Sequence, residues 1–241
     1  MKKQERHQIK RDDLATFLES AADFAEANLR QVLTVGALVV VVLLGSFGAR
    51  TWLRSREARN ARLLGELIAT YNAPVTATLE DLSASTAGTP TFTSAEERDR
   101  KVLEVAEAIL KAGGSGQAVS GALLYKGMAQ ANLKQYEEAA RPLDDVVRRD
   151  PGGLFGALAR LRLAEGKEAQ GKPEEAMALY QAIADDTRGV LPPEQGLMGV
   201  ARCQEALGRK DEALKMYRLI LSEYPDSEYV AEARTRVSDL S

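Results

Sequence analysis

A repeat of 37 residues in the second half of the chain constrains its fold more than any other feature. Residues of the same type or size recur at that interval. The recurring sets are Glu138-Ala139, Glu175-Ala176 and Glu212-Ala213; Leu143, Tyr180 and Tyr217; Val146, Ile183 and Ile220; Leu124, Leu161 and Met198; Gly127, Ala164 and Ala201; and Ala129, Gly166 and Cys203. Self-similarity at a fixed period of this length is typical of repeat architectures, in which stacked units share one continuous core.

Each period contains two stretches whose apolar residues have helical spacing. Aromatic residues make up only 5% of the chain, and much of the apolar fraction is alanine and leucine, which favours packed helices over sheets. The first stretches cover about 118–133, 154–170 and 194–207, and the second about 137–149, 174–185 and 211–223. Short turns separate them, at Lys134-Gln135, Gly171-Lys172 and Gly208-Arg209, where glycine can adopt the left-handed conformation that ends a helix. The pattern predicts an α-solenoid of helix pairs.

These residues resemble the tetratricopeptide repeat over residues 118–225. The resemblance rests on a small residue at 127/164/201, an alanine at 139/176/213, leucine or tyrosine four residues later, and Pro151 and Pro225 closing two units. That repeat has about 34 residues, and the loops Pro151-Gly152-Gly153 and Leu191-Pro192-Pro193 accommodate the extra ones. The chain departs from the pattern early in the first helix, where Leu123, Arg160 and Leu197 replace the usual aromatic residue.

An uncharged stretch of nineteen residues lies between Arg30 and Arg50. About 20 residues at ~1.5 Å each span a bilayer core of ~30 Å, so the sequence predicts a transmembrane helix over 31–53 that contacts the lipid bilayer. Trp52 would lie at the interface, and Arg50 could extend to the headgroups. A buried core helix is an alternative, but it fits poorly with so long an apolar run flanked by arginine. A cleaved signal peptide would need an unusually long acidic region before the apolar stretch.

The two flanks of this segment differ in charge, but the difference does not define the orientation of the helix. Within twenty residues, the N-terminal side carries two arginines and the far side carries five, which favours a cytoplasmic repeat domain. Counting the whole tail 1–30 gives six basic residues against five, which is no preference. The tail itself has apolar residues at helical spacing and predicts an amphipathic helix. Its apolar face would contact lipid or a partner's membrane segment, or the helix would simply rest on the bilayer surface.

The remaining segments complete a four-part organisation. Residues 54–93 are expected to form a helical stalk and a flexible loop, the loop being rich in Thr, Ser, Ala and Pro. Residues 94–241 are expected to form the repeat domain, opening with a capping-box pattern at Ser94–Glu97. Its helix would pair with the helix after the membrane segment as a vestigial unit. The repeat units are placed near 118–151, 154–188 and 194–225, and a capping helix with a polar outer face at 227–240.

Catalytic and cofactor chemistry is not indicated by the residues. His7 is the only histidine and Cys203 the only cysteine, so neither a zinc set nor a disulfide can be assembled. Cys203 belongs to a small-residue set, which favours a buried structural thiol. The net charge of −3 does not favour nucleic acid as a partner, because phosphate binding needs clustered positive charge. We therefore expect no enzyme activity, cofactor, metal or small-molecule substrate, and binding to other proteins.

The first helices of the units are expected to line a partner-binding groove on the inner face of the superhelix. The candidate residues are Leu124, Tyr125, Met128, Leu161, Arg162, Glu165, Met198 and Arg202. They do not reproduce the Asn and Lys set that grips a peptide carboxylate in the familiar clamp versions of the repeat. Leucine, methionine and tyrosine suit an apolar or amphipathic segment. Alternatively, the same residues pack against a neighbouring helix or the 72–93 loop.

The overall plan resembles the bacterial ancillary SecYEG translocon subunit family. The shared features are a short charged tail, one membrane helix, an arginine-bearing stalk, and repeats ending in the segment 223–234, EYPDSEYVAEAR. That segment is also similar to the periplasmic cell-division coordinator and to outer-membrane assembly lipoproteins. The resemblance implies an inner-membrane protein with a cytoplasmic N-terminus and periplasmic repeats, acting as an adaptor or chaperone-like subunit at the translocon. The alternative is a scaffold for envelope or division machinery without chaperone activity.

Overall fold

The computed structural model describes residues 28–76, 90–113 and 116–241, and these residues are almost entirely helical. Nine helices occur in these ranges: α1 Leu29–Tyr71, α2 Ala95–Ala112, α3 Gln117–Asn132, α4 Tyr136–Arg149, α5 Leu154–Ala169, α6 Pro173–Ala184, α7 Pro193–Ala206, α8 Lys210–Glu223 and α9 Val230–Leu240. Extended pairing in the described residues amounts to one isolated bridge between Val75 and Phe92. The all-α prediction is confirmed. The predicted amphipathic tail helix falls mostly on residues 1–27, outside the described residues.

The chain divides into two units, Met1–Arg56 and Glu57–Ser241. In the first unit, the described residues are those of the first part of α1 with the turn before it. Their apolar side chains are exposed over 38–44, as are Phe47 and Trp52. The stretch from Gly36 onward is long and apolar enough to cross a membrane, and none of its apolar window is buried. This part of α1 could therefore be a membrane span, as predicted, and the bounds 31–53 stay a prediction.

The second unit begins within α1, well before residue 94, where the repeat domain was expected to start. Leu67 is fully buried in one cluster with Val102 and Ile109 of α2. Leu64 packs so closely on α3 that a Cβ on Gly121 would lie 2.7 Å from its Cδ1 atom. The apolar residues of this helix have helical spacing and bury one face against α2 and α3. The expected pairing of the helix that follows Ser94 with the helix after the membrane segment is therefore present in the structure.

The segment between α1 and α2 was expected to be an exposed loop, and its described ends differ from that expectation. Ala73 and Phe92 are buried. The Thr76 amide donates to the Phe92 carbonyl at 2.9 Å, and the Phe92 amide donates to the Pro74 carbonyl at 3.2 Å. These two hydrogen bonds join the ends of the segment. They also satisfy backbone groups that would otherwise need to bond to water. Residues 77–89 lie outside the described residues.

The start of α2 follows the capping pattern in the sequence. The Ser94 hydroxyl accepts a hydrogen bond from the Glu97 amide at 3.1 Å. The Glu97 carboxylate accepts from the amide and hydroxyl of Thr93, at 3.1 and 2.7 Å. These hydrogen bonds to Thr93 lower the pKa of the Glu97 carboxyl. The predicted N-terminus of this helix is therefore confirmed.

Three helix pairs, α3–α4, α5–α6 and α7–α8, repeat one packing scheme. The sets 139/176/213, 143/180/217 and 146/183/220 are all buried. The turn inside each pair has a left-handed residue, Lys134, Gly171 or Gly208, with φ of 61°, 70° and 72°. The final helix α9 begins at Val230 instead of residue 227. The backbone amides of Ser227 and Val230 each close a turn, so the chain becomes helical only after these turns.

Candidate functional site

The structure separates the eight expected groove residues into a buried set and a half-exposed set. Leu124, Leu161 and Met198 are buried in three different core clusters, and Met128 is buried with Leu124. These four residues therefore correct the expected groove, since they fill the core between helices and do not present an open surface. They follow the alternative expectation, in which these residues pack against a neighbouring helix.

The other four expected residues, Tyr125, Arg162, Glu165 and Arg202, remain half-exposed on the first helices α3, α5 and α7. Arg162 and Glu165 form an ion pair of 2.6 Å within α5. The ring of Tyr125 packs edge-on against Tyr71 of α1, with centroids 5.1 Å apart. Burial, followed by the charge of Tyr71, raises the pKa of the Tyr125 phenol. This face therefore offers one aromatic ring and paired charges.

Arg202 belongs to a polar cluster that joins the second and third repeat units. Its guanidinium donates from Nε and Nη2 to the two carboxylate oxygens of Glu168, both at 3.0 Å. The Tyr180 hydroxyl donates to the same carboxylate at 2.8 Å and accepts from Arg202 at 3.2 Å. Three helices, α5, α6 and α7, thus meet at one carboxylate.

The protonation of this cluster follows from its contacts. Burial acts to raise the pKa of Glu168, but the hydrogen bonds from Arg202 and Tyr180 outweigh it and lower that pKa below its ordinary value. The hydrogen bond to Glu168 raises the pKa of Arg202. Burial, then the hydrogen bond to Glu168, raises the pKa of the Tyr180 phenol. The cluster is a charged pair with a neutral phenol near neutral pH.

A second cluster of the same composition joins the third unit to the capping helix. Tyr217 of α8 donates to Glu205 of α7 at 2.5 Å, and Nε of Arg236 in α9 donates to Glu205 at 3.0 Å. Nη2 of Arg236 also contacts the second Glu205 oxygen. At the boundary of the first and second units, the positions equivalent to Glu168 and Tyr180 are Ala131 and Leu143. An apolar cluster joins those two units instead.

A surface groove with a volume of about 530 Å³ lies between α2 and α4 and is floored by α3. Its lining residues are Leu110, Leu123, Lys126, Gln130, Glu137, Glu138, Arg141, Pro142 and Asp145. Leu110, Leu123 and Pro142 supply apolar surface among charged groups. The side-chain oxygen of Gln130 is buried without a hydrogen-bond partner in the structure. The sequence analysis did not propose this groove. Its only sequence signal is the charged first turn and last turn of α4.

Metal and thiol chemistry find little support in the described part of the chain. No cluster of three or more His, Cys, Asp or Glu side chains suited to a metal ion occurs among residues 28–76, 90–113 and 116–241. The Cys203 thiol is fully buried between apolar side chains, and burial raises its pKa to about 11. A thiol in this environment stays protonated near neutral pH, as expected for a structural residue.

Known proteins with the same repeat pattern match two segments of the chain. Residues 121–153 and residues 169–237 each match a family model described as tetratricopeptide repeat. These segments are tetratricopeptide repeats. Neither match covers 154–168, the first helix of the middle unit, where Arg160 replaces the usual early aromatic residue.

The chain also resembles individual proteins that contain this repeat. It is 37% identical over 60 residues to small glutamine-rich tetratricopeptide repeat-containing protein 2 of Saccharomyces cerevisiae. That match covers 25% of this chain and 16% of the yeast protein, so the chain spans only a small part of its relative's length. A thermophilic TPR protein of Thermus thermophilus is similar in its crystal structure, with a TM-score of 0.34 and 19% identity over 61% of this chain and 92% of that one.

The repeats define the general role of the chain. Tetratricopeptide repeats are protein-interaction scaffolds, and neither matching family model indicates a catalytic family. Stacked helix pairs leave the first helices of the units as an extended binding surface, which suits recognition of other polypeptides. Interaction with other proteins is therefore the general role that these repeats imply.

Proposed function

We propose that this chain is an adaptor that is anchored in a bacterial inner membrane by α1 and acts as a periplasmic subunit that assists protein translocation or chaperoning at the Sec translocon. The observation that carries the proposal is the apolar part of α1, whose side chains over 38–44 are exposed. A chain that exposes so much apolar surface needs a membrane or an extensive partner to cover it. The translocon and the periplasmic location are supported by the family resemblance in the sequence.

The partner is a polypeptide that binds along the first helices. Tyr125 on α3 supplies an aromatic ring, and Arg162, Glu165 and Arg202 on α5 and α7 supply charged groups, which together suit an amphipathic segment of another protein. The bilayer is the second partner, through residues 31–53. The N-terminus lies in the cytoplasm and the repeats in the periplasm.

Protease access to a C-terminal tag on the full chain tests the location. We expect digestion of the tag in intact spheroplasts as well as in lysed ones, because the repeats face the periplasm. Protection until lysis would contradict the periplasmic location and would direct the search to cytoplasmic partners. Release of the chain by carbonate washing would contradict the anchoring itself.

Site-specific photo-crosslinking tests the partner. A crosslinking amino acid at Arg162, on the first helix α5, is expected to capture exported polypeptides or translocon subunits. Ala178 is the control because it is accessible, being exposed where Arg162 is half-exposed, but lies on the second helix α6. Equal capture at both positions would contradict the proposed surface. Failure of the detergent-solubilised full chain to suppress aggregation of an unfolded exported protein would favour the scaffold without chaperone activity.

A further inference from the structure

We propose that the end of the apolar segment of α1 binds anionic phospholipid headgroups through Arg50, Trp52, Arg54 and Arg56, here named the basic collar. This inference rests on the proposed membrane anchoring and adds the class of lipid that the chain selects. All four residues lie in the unit Met1–Arg56. The ligand chemistry is a phosphate diester on an acyl-chain lipid whose headgroup carries no compensating positive charge.

The position of the basic collar along α1 matches the headgroup layer. The uncharged stretch ends at Ala49, and the arginines follow at 50, 54 and 56 on the same continuous helix. At ~1.5 Å per residue, the collar occupies about 9 Å of the helix axis. The headgroup layer is about 5–7 Å thick on each side of the hydrocarbon core, so a helix crossing that core places these arginines in or next to the lipid phosphates.

The side chains of the basic collar are arranged to contact both the headgroups and the acyl chains. Trp52 is 60% exposed, and Arg50 and Arg54 are exposed. The Arg56 guanidinium carbon lies 5.2 Å from the centroid of the Trp52 ring. An indole prefers the interface between headgroup and hydrocarbon, so this stacking holds a guanidinium at the same depth. A guanidinium binds phosphate through two parallel hydrogen bonds.

The charge on the two sides of the apolar segment is asymmetric, and it favours binding of anionic lipid at the end that carries Trp52. Residues 50–57 contain three arginines and Glu57, which is a net charge of 3 − 1 = +2. At the other end, Arg30 follows Asp23 and Glu26 in the sequence. Basic residues next to a membrane surface attract anionic lipids, and each contributes separately to that attraction. We therefore expect anionic lipid to be enriched around the end that carries Trp52.

Fluorescence of Trp52 gives a direct test, because it is the only tryptophan in the chain. The full chain is reconstituted in vesicles of phosphatidylcholine with a minor fraction of phosphatidylglycerol, identical in both leaflets. Bromine is placed on the acyl chains of one lipid or the other, and the quenching of Trp52 is compared. We expect brominated phosphatidylglycerol to quench as if enriched about twofold to fivefold over its mole fraction, and less so at high salt.

Two variants make the test specific. The triple variant R50Q/R54Q/R56Q is expected to reduce the enrichment to about onefold, because the charges that attract the headgroups are removed. R30Q removes one charge about 30 Å away at the other end of the segment and is expected to leave the enrichment unchanged. The ratio of the two quenching curves is compared within each variant, so a change in the intrinsic emission of Trp52 does not affect it.

The outcomes separate the inference from the proposed function. Quenching by both lipids in proportion to their mole fractions would overturn the inference and leave the membrane anchoring intact. Absence of quenching by either lipid would overturn the anchoring and with it the inference. Loss of the preference with inorganic phosphate, but not with chloride at equal ionic strength, would identify a free-phosphate site and contradict lipid selection.

Discussion

Arg202 of α7 donates two hydrogen bonds to the carboxylate of Glu168 in α5, and both nitrogen–oxygen distances are 3.0 Å. The contact connects residues 34 positions apart and bridges two repeat units. A bidentate pair is directional as well as attractive, so it restricts how the third unit is oriented on the second. The apolar columns alone restrict mainly the distance between helices, because the hydrophobic effect is not directional.

Removing the arginine is expected to weaken the boundary between the second and third units. Arg202→Met removes two of the three hydrogen bonds that the half-buried Glu168 carboxylate accepts and leaves only the one from Tyr180. We expect a loss of about 1–3 kcal/mol in the free energy of unfolding. Urea unfolding of the full chain in detergent micelles, followed by far-ultraviolet circular dichroism, measures it. Arg162→Met is the matched control, because its ion pair lies within one helix and contributes about 0.5 kcal/mol or less. Equal losses would contradict a special role for Arg202.

The pKa of Glu168 predicts how this stability depends on pH. Its pKa is lowered in the folded state, so the unfolded chain binds a proton at higher pH than the folded chain does. The stabilisation is therefore fully present above the ordinary glutamate pKa of about 4.3 and is lost as pH falls through the lowered value. We expect the stability difference between wild type and Glu168→Gln to be largest near neutral pH and to shrink in acid. Urea midpoints at several pH values measure it, with Glu165→Gln as control. A difference that stays constant across that range would contradict the linkage.

The glutamate and the tyrosine of the Glu–Tyr–Arg contact could be predicted from the sequence, and the arginine could not. Glu168 and Glu205 are 37 residues apart, as are Tyr180 and Tyr217, so the repeat itself contains these partners. Arg202 and Arg236 are 34 residues apart and therefore fall outside the period. The second arginine comes from α9, which begins after a turn and does not follow the spacing of the repeat. Its position depends on tertiary packing, which a period does not encode.

The sequence contained a signal that the buried groove candidates belong to the core. Leu124, Leu161 and Met198 occupy one repeated set, and large apolar residues that keep the period in every unit are typical of a shared core. Their neighbours at the next position differ in type: Tyr125 and Arg162 remain half-exposed, and Gly199 is buried. The helix pairs and their turns were predictable because they rest on local spacing and on turn chemistry.

The close approach of α7 to α6 depends on Gly199. A Cβ at this position would lie 2.3 Å from Cγ of the Tyr180 ring, which is fully packed and cannot move without disturbing Glu168. Alanine favours helix formation by about 1 kcal/mol over glycine, yet we expect Gly199→Ala to lower the free energy of unfolding by about 1–3 kcal/mol. Gly65→Ala is the control, since nothing lies within 4 Å of its Cβ and the same exchange in α1 should stabilise. Thermal unfolding of both variants checks the opposite signs.

The three turns inside the repeat units share one backbone hydrogen-bond pattern, but their left-handed residues differ in type. Each left-handed residue donates to a carbonyl three residues earlier, at 2.9 Å for Lys134 and Gly171 and 2.8 Å for Gly208. The next residue in each turn donates to a carbonyl five residues earlier, at 2.8, 3.0 and 2.9 Å. Lys134 carries a Cβ in this conformation and the two glycines do not, so the first turn is strained by about 1 kcal/mol.

Exchanging residues at these turns should therefore change stability in opposite directions. Lys134→Gly is expected to raise the free energy of unfolding by about 0.5–1 kcal/mol, the relief of strain being partly offset by the greater entropy of the unfolded chain. Gly171→Lys, the reciprocal exchange at the equivalent position, is expected to lower it by about 1 kcal/mol. Urea midpoints of the two variants, measured side by side, check the signs. Destabilisation by Lys134→Gly would mean that the Lys134 side chain contributes contacts worth more than the strain of its backbone.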